Sequence, residues 1–187
     1  SVGSVFNIAL LLSVILLAAC ATASDNSAWR RFEFNEPEMG VNFGLKFYAP
    51  NKSAALRVAK RVYERIEALN GIFSDYIPNS ELNRLIHQPV GCPVKIRAEL
   101  IAILKCAQEL SQKTNGAFDV TAGPYTQLWR QARRRKKLTN PILLKQASQS
   151  IGYKKLRLNS IAHTVTCLAP NMRLDLGGIA KGWAADE

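Results

Sequence analysis

The stretch TNGAFDVTAGPYTQLW, residues 114–129, makes the most specific structural demands of the chain. Asn115-Gly116 predicts a turn with positive φ, because both residue types tolerate the left-handed region. Residues 117–119 then alternate small, aromatic and acidic side chains, and residues 120–121 predict a short strand. Gly123-Pro124 ends that strand and predicts a helix, since proline is favoured in the first helical turn.

This stretch predicts a carboxylate and exposed main chain beside an aromatic ring, at the edge of a sheet. Asp119 supplies the carboxylate and Phe118 the ring. Such a setting suits a flat heteroaromatic ligand that carries hydroxyls or ring nitrogens. The same residues are equally compatible with a structural role, in which Asp119 caps a turn and Phe118 fills a core.

Three further stretches accompany residues 116–129, which read GAFDVTAGPYTQLW. They are Met39-Gly40 before a strand, SDYIPNSELNRL at residues 74–85 and LDLGGIAKGWAAD at residues 174–186. In this order and spacing the four stretches resemble the ApbE family of flavin transferases. The resemblance covers about residues 37–187 and implies the N-terminal part of an α+β fold with a mostly antiparallel sheet and packed helices.

The resemblance also implies which residues hold FAD, the substrate of the family. The family contacts FAD at positions that correspond here to Met39, Tyr76, Ala117, Phe118, Asp119 and Lys181. The main-chain carbonyl of Gly178 stands where the family offers an oxygen to Mg²⁺. Asp119 is expected to orient the nucleotide, and no catalytic residue is assigned. Val41 departs from the family pattern, which has a threonine there.

Without the resemblance, these positions have ordinary structural interpretations. A methionine at a strand start usually packs in a core, a tyrosine before a proline packs its loop, and Lys181 follows a glycine-rich turn. Glycines where a strand meets a helix do let main-chain groups approach a phosphate. Asp175 is expected to be structural.

The activity implied by the resemblance is Mg²⁺-dependent transfer of the FMN moiety of FAD to a threonine of a target flavoprotein, with release of AMP. The alternatives are an FAD pyrophosphatase, a non-catalytic flavin-binding lipoprotein, and a basic membrane-tethered adaptor that needs no FAD. The side-chain metal ligands of the family lie beyond its K-G-x-A-x-D motif. We therefore expect the sequence to be truncated, and residues 1–187 alone to turn over little FAD.

The first residues of the chain predict export. Residues 5–19, VFNIALLLSVILLAA, form an uncharged apolar run typical of a secretory signal, so residues 1–19 are interpreted as a signal peptide. The L-A-A-C ending resembles a bacterial lipoprotein cleavage site, with Cys20 as the lipidated residue; an ordinary signal cut nearby is the alternative. Residues 20–35 then form a polar tether and residues 36–187 the FAD-binding domain. The predicted location is the bacterial cell envelope, anchored to a membrane and facing the periplasm.

The charge balance favours anionic partners. The 187 residues contain 25 Lys and Arg against 14 Asp and Glu, a formal charge of +11. The strongest cluster, Arg130 with residues 133–137, is predicted to be a solvated loop, with anionic lipid headgroups or an acidic acceptor protein as alternative partners. It lacks the interleaved aromatic residues that single-stranded nucleic acid requires, so no nucleic-acid partner is predicted.

The remaining periodic patterns predict the other elements. Apolar spacing predicts helices over 52–70, ended by Gly71, and over 97–113, and Pro141 predicts a helix over 142–151. Short strands are predicted at 38–48, 156–158, 165–168 and 172–176. The cysteines at 92, 106 and 167 have no metal-ligand spacing and are interpreted as thiols.

Overall fold

The structure, a computed structural model, describes residues 29–187. The chain divides into two compact units. Of the described residues, the first unit contains 29–34 and 44–59, and the second contains 35–43 and 60–187. The predicted signal peptide, Cys20 and the tether as far as residue 28 lie outside the described residues.

The described residues begin with a hairpin of two strands, β1 (Arg30–Glu38) and β2 (Val41–Ala49). β1 begins within the predicted tether, because its apolar residues alternate with polar ones as in a half-buried strand. The connecting residues Met39 and Gly40 have φ values of 49° and 74°. Positive φ at both central residues is what a two-residue type I′ hairpin turn requires.

Helix α1 (Lys52–Phe73) passes through Gly71, which was predicted to end it. The next two side chains, Ile72 and Phe73, are only 3% and 2% exposed. Burying two large apolar side chains is worth about 1.5–3 kcal/mol each, which outweighs the roughly 1 kcal/mol cost of a helical glycine. Packing therefore extends the helix beyond the residue that local preference would choose.

Helices α2 (Glu81–Ile86) and α3 (Ala98–Lys113) complete the helical side of the core. Ser80 caps α2 by accepting a hydrogen bond from the Asn83 N–H. The residues that α1, α2 and α3 bury in the second unit are mainly aliphatic. They are Ile66, Leu69, Ile72, Phe73, Leu82, Leu85, Leu100, Ile101, Ile103, Leu104 and Ala107.

A three-stranded antiparallel sheet lies in the second unit. Its strands are β3 (Val94–Lys95), β4 (Leu156–Asn159) and β5 (Thr164–Cys167), in the order β3-β5-β4. Val165 is paired with both Val94 and Leu158 and is fully buried. The prediction of an α+β fold with antiparallel sheet and packed helices is confirmed.

The strands predicted at residues 120–121 and 172–176 are wrong. Residues 120–121 form a turn, and the only pairing near them is one isolated parallel bridge between Ala122 and Arg173. The Asp119 carboxylate binds the Thr121 N–H at 2.8 Å, which removes a donor that a strand ladder would use.

Helix α4 (Gly123–Arg135) begins at the predicted Gly-Pro pair and continues to Arg135, so four of the six residues of the basic cluster are helical and not in a loop. Lys136 and Lys137 follow the helix in a turn. Arginine is a good helix former, so like charges alone do not unwind the segment. The helix ends at Lys136, whose φ is 50°. Helix α5 (Pro141–Ser148) follows, then a 3-10 turn (Tyr153–Lys155), and finally α6 (Ala180–Asp186).

Gly123 is required by a close approach between the start of α4 and residue 173. A Cβ at this position would lie 2.5 Å from the carbonyl oxygen of Arg173. We expect Gly123→Ala to lower the free energy of unfolding by about 1–2 kcal/mol, as overpacking does, measured by urea denaturation. Gly182→Ala in α6, where a Cβ meets nothing within 4 Å, should be neutral or slightly stabilising. Equal effects of the two substitutions would contradict this explanation.

The three cysteines of the described part are free thiols in different settings. Cys92 and Cys106 are exposed, whereas burial raises the pKa of the Cys167 thiol. Because the thiolate is the reactive form, iodoacetamide at about pH 8 should alkylate Cys92 and Cys106 at least tenfold faster than Cys167. Peptide mapping by mass spectrometry measures this, and in urea the three rates should converge.

No helix within residues 29–187 is long and apolar enough to cross a membrane.

Candidate functional site

A cleft of about 950 Å³ lies within the second unit. Four separate segments bring the predicted residues to it: the turn after β1, the loop after α1, the loop between α3 and α4, and the glycine-rich approach to α6 with its first turn. All seven residues predicted from the sequence line this cleft, namely Met39, Tyr76, Ala117, Phe118, Asp119, Gly178 and Lys181. A cleft of this size lies at the upper end of the range for small-molecule sites.

The loop from residue 74 to residue 80 is fixed by its own polar side chains. Ser74 Oγ accepts hydrogen bonds from the Tyr76 and Ile77 N–H groups at 3.1 and 3.2 Å. Ser80 Oγ donates to the Ser74 carbonyl at 2.6 Å, and Asn83 Nδ2 donates to the Ile77 carbonyl at 2.7 Å. The serines and the asparagine of the motif therefore hold the loop, and Tyr76 does not contribute to that network through its side chain.

The Tyr76 side chain is presented outward, with 72% of the residue exposed. The guanidinium of Arg130 lies over the ring, 4.3 Å from its centroid. One face of the ring is thus covered by a cation. The opposite face remains available for another flat group at the edge of the cleft.

Arg130 connects three segments that border the cleft. Besides covering Tyr76, it forms ion pairs with Asp75 and, at 2.9 Å, with Asp175. Burial opposes the charge of Arg130, but the hydrogen bond to Asp75 and the charges of both aspartates raise its pKa above the ordinary value. The arginine therefore stays charged and ties α4 to the Tyr76 loop and to the approach to α6.

Asp175 is structural, in agreement with the sequence analysis. One of its oxygens pairs with Arg130, and the other accepts the Gly177 N–H at 2.8 Å. The Asp175 N–H in turn donates to the Val120 carbonyl at 2.8 Å. These bonds fix the glycine-rich turn against the loop before α4.

Lys181 lies in the first turn of α6 and points its ammonium back to that glycine-rich turn. Its Nζ donates to the Gly177 carbonyl at 2.9 Å. Among residues 29–187, no side chain or main-chain group donates to the neighbouring Gly178 carbonyl. The turn thus offers a point charge and an unused acceptor next to each other at the cleft wall.

The predicted positive-φ turn before the motif is confirmed, with φ values of 51° at Asn115 and 83° at Gly116. Beyond it, both carboxylate oxygens of Asp119 are engaged by the chain. Oδ1 accepts from the Thr121 N–H and hydroxyl, and Oδ2 accepts from the Tyr153 N–H at 2.8 Å. Asp119 lines the cleft, but its hydrogen bonds serve first to close the loop.

Phe118 packs against the core and against the glycine-rich turn. A Cβ at Gly178 would lie 3.3 Å from Cε2 of Phe118, closer than most real contacts of this kind. The absence of a side chain at residue 178 therefore lets the ring and the turn approach each other. Ala117, next to Phe118, is exposed at the cleft wall.

Met39 is held at the cleft by the hairpin turn and is partly buried against the core. Its φ of 49° is uncommon for a residue with a side chain. Val41, at the position where a threonine is expected, also lines the cleft and is 41% exposed.

The sequence model of the ApbE family matches residues 39–187. The chain belongs to the ApbE family. Among curated relatives, the FAD:protein FMN transferase of Haemophilus influenzae is 29% identical over 195 residues, covering all of this chain and 54% of the relative. The corresponding protein of Treponema pallidum is 27% identical, over 94% of this chain and 51% of its own length.

Solved structures of the ApbE family share the fold. The flavin transferase ApbE from Vibrio cholerae matches with a TM-score of 0.76 and 26% identity, over 84% of this chain and 52% of that one. The apbe protein of Thermotoga maritima matches with a TM-score of 0.73 and 25% identity, over 84% and 50%. The chain thus spans about half the length of the ApbE proteins it matches.

The ApbE cleft of this chain has no carboxylate set that holds a metal by itself. Within residues 29–187 no group of three or more His, Cys, Asp or Glu side chains is arranged to hold an ion. Mg²⁺ takes six oxygen ligands and commonly keeps waters and substrate phosphates among them. The Gly178 carbonyl fits as one of those ligands, and the described residues do not supply a complete site.

Arg130 is the cleft residue of this ApbE chain that the sequence analysis missed. It was grouped with five exposed basic residues, yet its side chain is only 22% exposed. The sequence contained one signal for Arg130, its spacing of four residues from Thr126, which places both residues on the same face of a helix. In the structure both residues line the cleft. The partners Asp75 and Asp175 are 55 and 45 residues away, and no local pattern pairs them with Arg130.

Proposed function

We propose that the chain carries the FAD-binding part of an enzyme that transfers the FMN moiety of FAD to a threonine of an acceptor flavoprotein and releases AMP. The observation that supports this most is the convergence of all seven predicted residues on one cleft. The names of the relatives, FAD:protein FMN transferase, point to the same reaction class.

One of the two aromatic ring systems of FAD would be held at the Tyr76 side of the cleft. The free face of Tyr76 offers a stacking surface, and Arg130 behind the ring fixes its orientation. Phe118 and Met39 add apolar surface to the lining of the cleft. Stacking on a rigid aromatic side chain is worth about 1–3 kcal/mol in comparable base contacts.

The pyrophosphate would be held at the glycine-rich turn, by Lys181 and by the main-chain N–H of Gly178, because both main-chain groups of Gly177 already form hydrogen bonds. The charged side chains that line the cleft are three aspartates, one arginine and one lysine, which give a formal charge of −1. A dianionic pyrophosphate is repelled by such a lining unless a cation accompanies it. Mg²⁺ fits this requirement, and when bound it neutralises phosphate oxygens during in-line attack on phosphorus.

The cellular setting stays a proposal from the sequence. Export through residues 5–19, lipidation at Cys20 and a location facing the bacterial periplasm would place the cleft near exported acceptor proteins.

The experiment separates the candidate reactions by their products. The purified chain is incubated with FAD, with or without Mg²⁺, and with an acceptor flavoprotein that has a target threonine. Because the chain spans about half of its relatives, a fusion with the remaining half of the Haemophilus influenzae relative is assayed in parallel. AMP is measured by chromatography, and acceptor-bound flavin by in-gel fluorescence.

AMP and acceptor-bound flavin in equal amounts support transfer. AMP with free FMN supports the pyrophosphatase, and FAD bound but recovered intact supports a flavin carrier; either result for the fusion overturns the proposal. For residues 1–187 alone we expect FAD binding with little AMP release, since the described residues offer Mg²⁺ no carboxylate set.

FAD affinity itself should depend on the metal. We expect chelation of Mg²⁺ by EDTA to weaken FAD binding several-fold, because the net negative cleft then faces the pyrophosphate without a counter-ion. Riboflavin, which has no phosphate, serves as the control and should bind equally in both conditions. A similar EDTA effect on riboflavin would contradict the electrostatic explanation.

A further inference from the structure

The region where α4 ends and α5 begins forms an exposed surface, which we call the α4–α5 tip and define as residues 133–143. Helices α4 and α5 lie against each other. The connection is fixed by hydrogen bonds from the Lys137 N–H to the Ala132 carbonyl and from Thr139 Oγ1 to the Leu128 carbonyl. Asn140 caps α5 by accepting the Ile142 N–H at 2.8 Å. The tip is therefore an ordered structure.

The positive charge of the chain is concentrated around this tip. Residues 120–174 contain 11 of the 25 Lys and Arg residues and none of the 14 Asp and Glu residues. The remainder of the chain has 14 residues of each sign and is neutral. The formal charge of +11 thus arises entirely within the segment that contains α4, α5, β4 and β5.

Five consecutive basic residues of the tip, 133–137, are exposed. Across residues 29–187, none of these five forms an ion pair with a carboxylate. Arg130, one turn earlier, is the member of the cluster that pairs with aspartates. Adjacent like charges repel one another, and an external anionic surface relieves that repulsion.

Large apolar side chains lie among these charges. Leu138 is 84% exposed, Ile142 64% and Leu143 45%, and Trp129 on α4 is 50% exposed. Basic side chains beside exposed Trp, Leu and Ile are the combination that favours the boundary between headgroups and acyl chains of a bilayer. We propose that the α4–α5 tip docks on a membrane surface that contains anionic lipids.

Two features favour a bilayer over other polyanions. A nucleic acid would be bound by basic residues together with several stacking rings, whereas residues 133–143 contain no aromatic residue and α4 exposes one, Trp129, about one turn before the tip. An acidic protein would not account for the exposure of Leu138 and Ile142, 84% and 64%, at the α4–α5 tip, where a bilayer accepts apolar side chains without a shaped pocket. The proposal depends neither on FAD transfer nor on lipidation of Cys20.

The test is vesicle co-sedimentation of the full chain. Phosphatidylcholine vesicles are compared with vesicles containing about one-third phosphatidylglycerol, at about 0.1 M salt. The variant Arg133→Gln/Arg134→Gln/Arg135→Gln is compared with a charge-matched control, Lys105→Gln/Lys113→Gln/Arg157→Gln, whose residues are also exposed. The wild type and all variants contain residues 5–19, so the contribution of that apolar run to vesicle binding is the same in each.

We expect the wild type to prefer the anionic vesicles, and the tip variant to lose roughly a hundredfold in partitioning to them, since each basic residue near such a surface contributes about fivefold. The control should lose less than about threefold. Leu138→Gln/Ile142→Gln should weaken binding to anionic vesicles at unchanged charge. Equal losses in both charge variants, equal binding to both vesicle types, or tighter binding of a single-stranded oligonucleotide through the same residues would each overturn the proposal.

Discussion

Replacing Arg130 by methionine is expected to lower the free energy of unfolding by about 3 kcal/mol. Methionine preserves most of the side-chain length and removes the charge. The side chains of Asp75 and Asp175, 16% and 13% exposed, then lose their cation while remaining largely out of water. The expected value is at the lower end for a broken buried ion pair, because all three side chains keep some contact with solvent. Urea denaturation measures the change.

The control is Arg133→Met, an exposed residue three positions further along α4. That residue has no carboxylate partner within residues 29–187, so its replacement should change the free energy of unfolding by less than about 0.5 kcal/mol. Adding Asp75→Asn and Asp175→Asn to Arg130→Met should restore part of the loss, since the stranded charges disappear. A full loss that these two changes do not relieve would show that Arg130 acts through packing instead.

Replacing Tyr76 by alanine is expected to weaken FAD binding about thirtyfold, which corresponds to one aromatic stacking contact. This test requires that the wild-type chain binds FAD, so the affinity of the wild type for FAD is measured first. The physical reason is that Tyr76 is the one cleft tyrosine whose ring is mostly exposed while a guanidinium fixes it from behind. Quenching of flavin fluorescence on titration with the protein measures the affinity.

Two variants show whether the ring itself is responsible. Tyr76→Phe keeps the ring and should bind FAD within about threefold of the wild type. Tyr48→Ala removes another exposed tyrosine, one that does not line the cleft, and should leave FAD binding unchanged. If Tyr76→Ala bound FAD as tightly as the wild type, the ring would not be a stacking surface and the proposed position of the ligand would be wrong.

Much of the fold was predictable because local rules and packing agree. The Asn115-Gly116 turn and the start of α4 at Gly123-Pro124 appear where the sequence predicts them. At Gly71 the rules disagree, and burial of Ile72 and Phe73 extends α1. At residues 120–121, a side-chain hydrogen bond from the strand-like segment to Asp119 produces a turn.

The residues that meet at the cleft and their local partners could be predicted from the motifs, but the distant partners could not. The motifs mark Tyr76, Asp119 and Lys181 together with Ser74, Ser80 and Gly177. Ser74 and Ser80 fix the loop that presents Tyr76. Tyr153, 34 residues away, donates its N–H to Asp119.

The sequence by itself determined the family, the turn at Asn115-Gly116, the start of α4 at Gly123-Pro124 and the periodic faces of the long helices, because each depends on a short motif or on residues within a few positions of each other. Only the tertiary structure decided that Arg130, unlike the other residues of the basic cluster, pairs with Asp75 and Asp175. It also showed that the other five basic residues stay exposed beside apolar side chains. The physical reason is distance along the chain. Asp175 and Asp75 are 45 and 55 residues from Arg130, so these ion pairs form only after packing has brought their elements together.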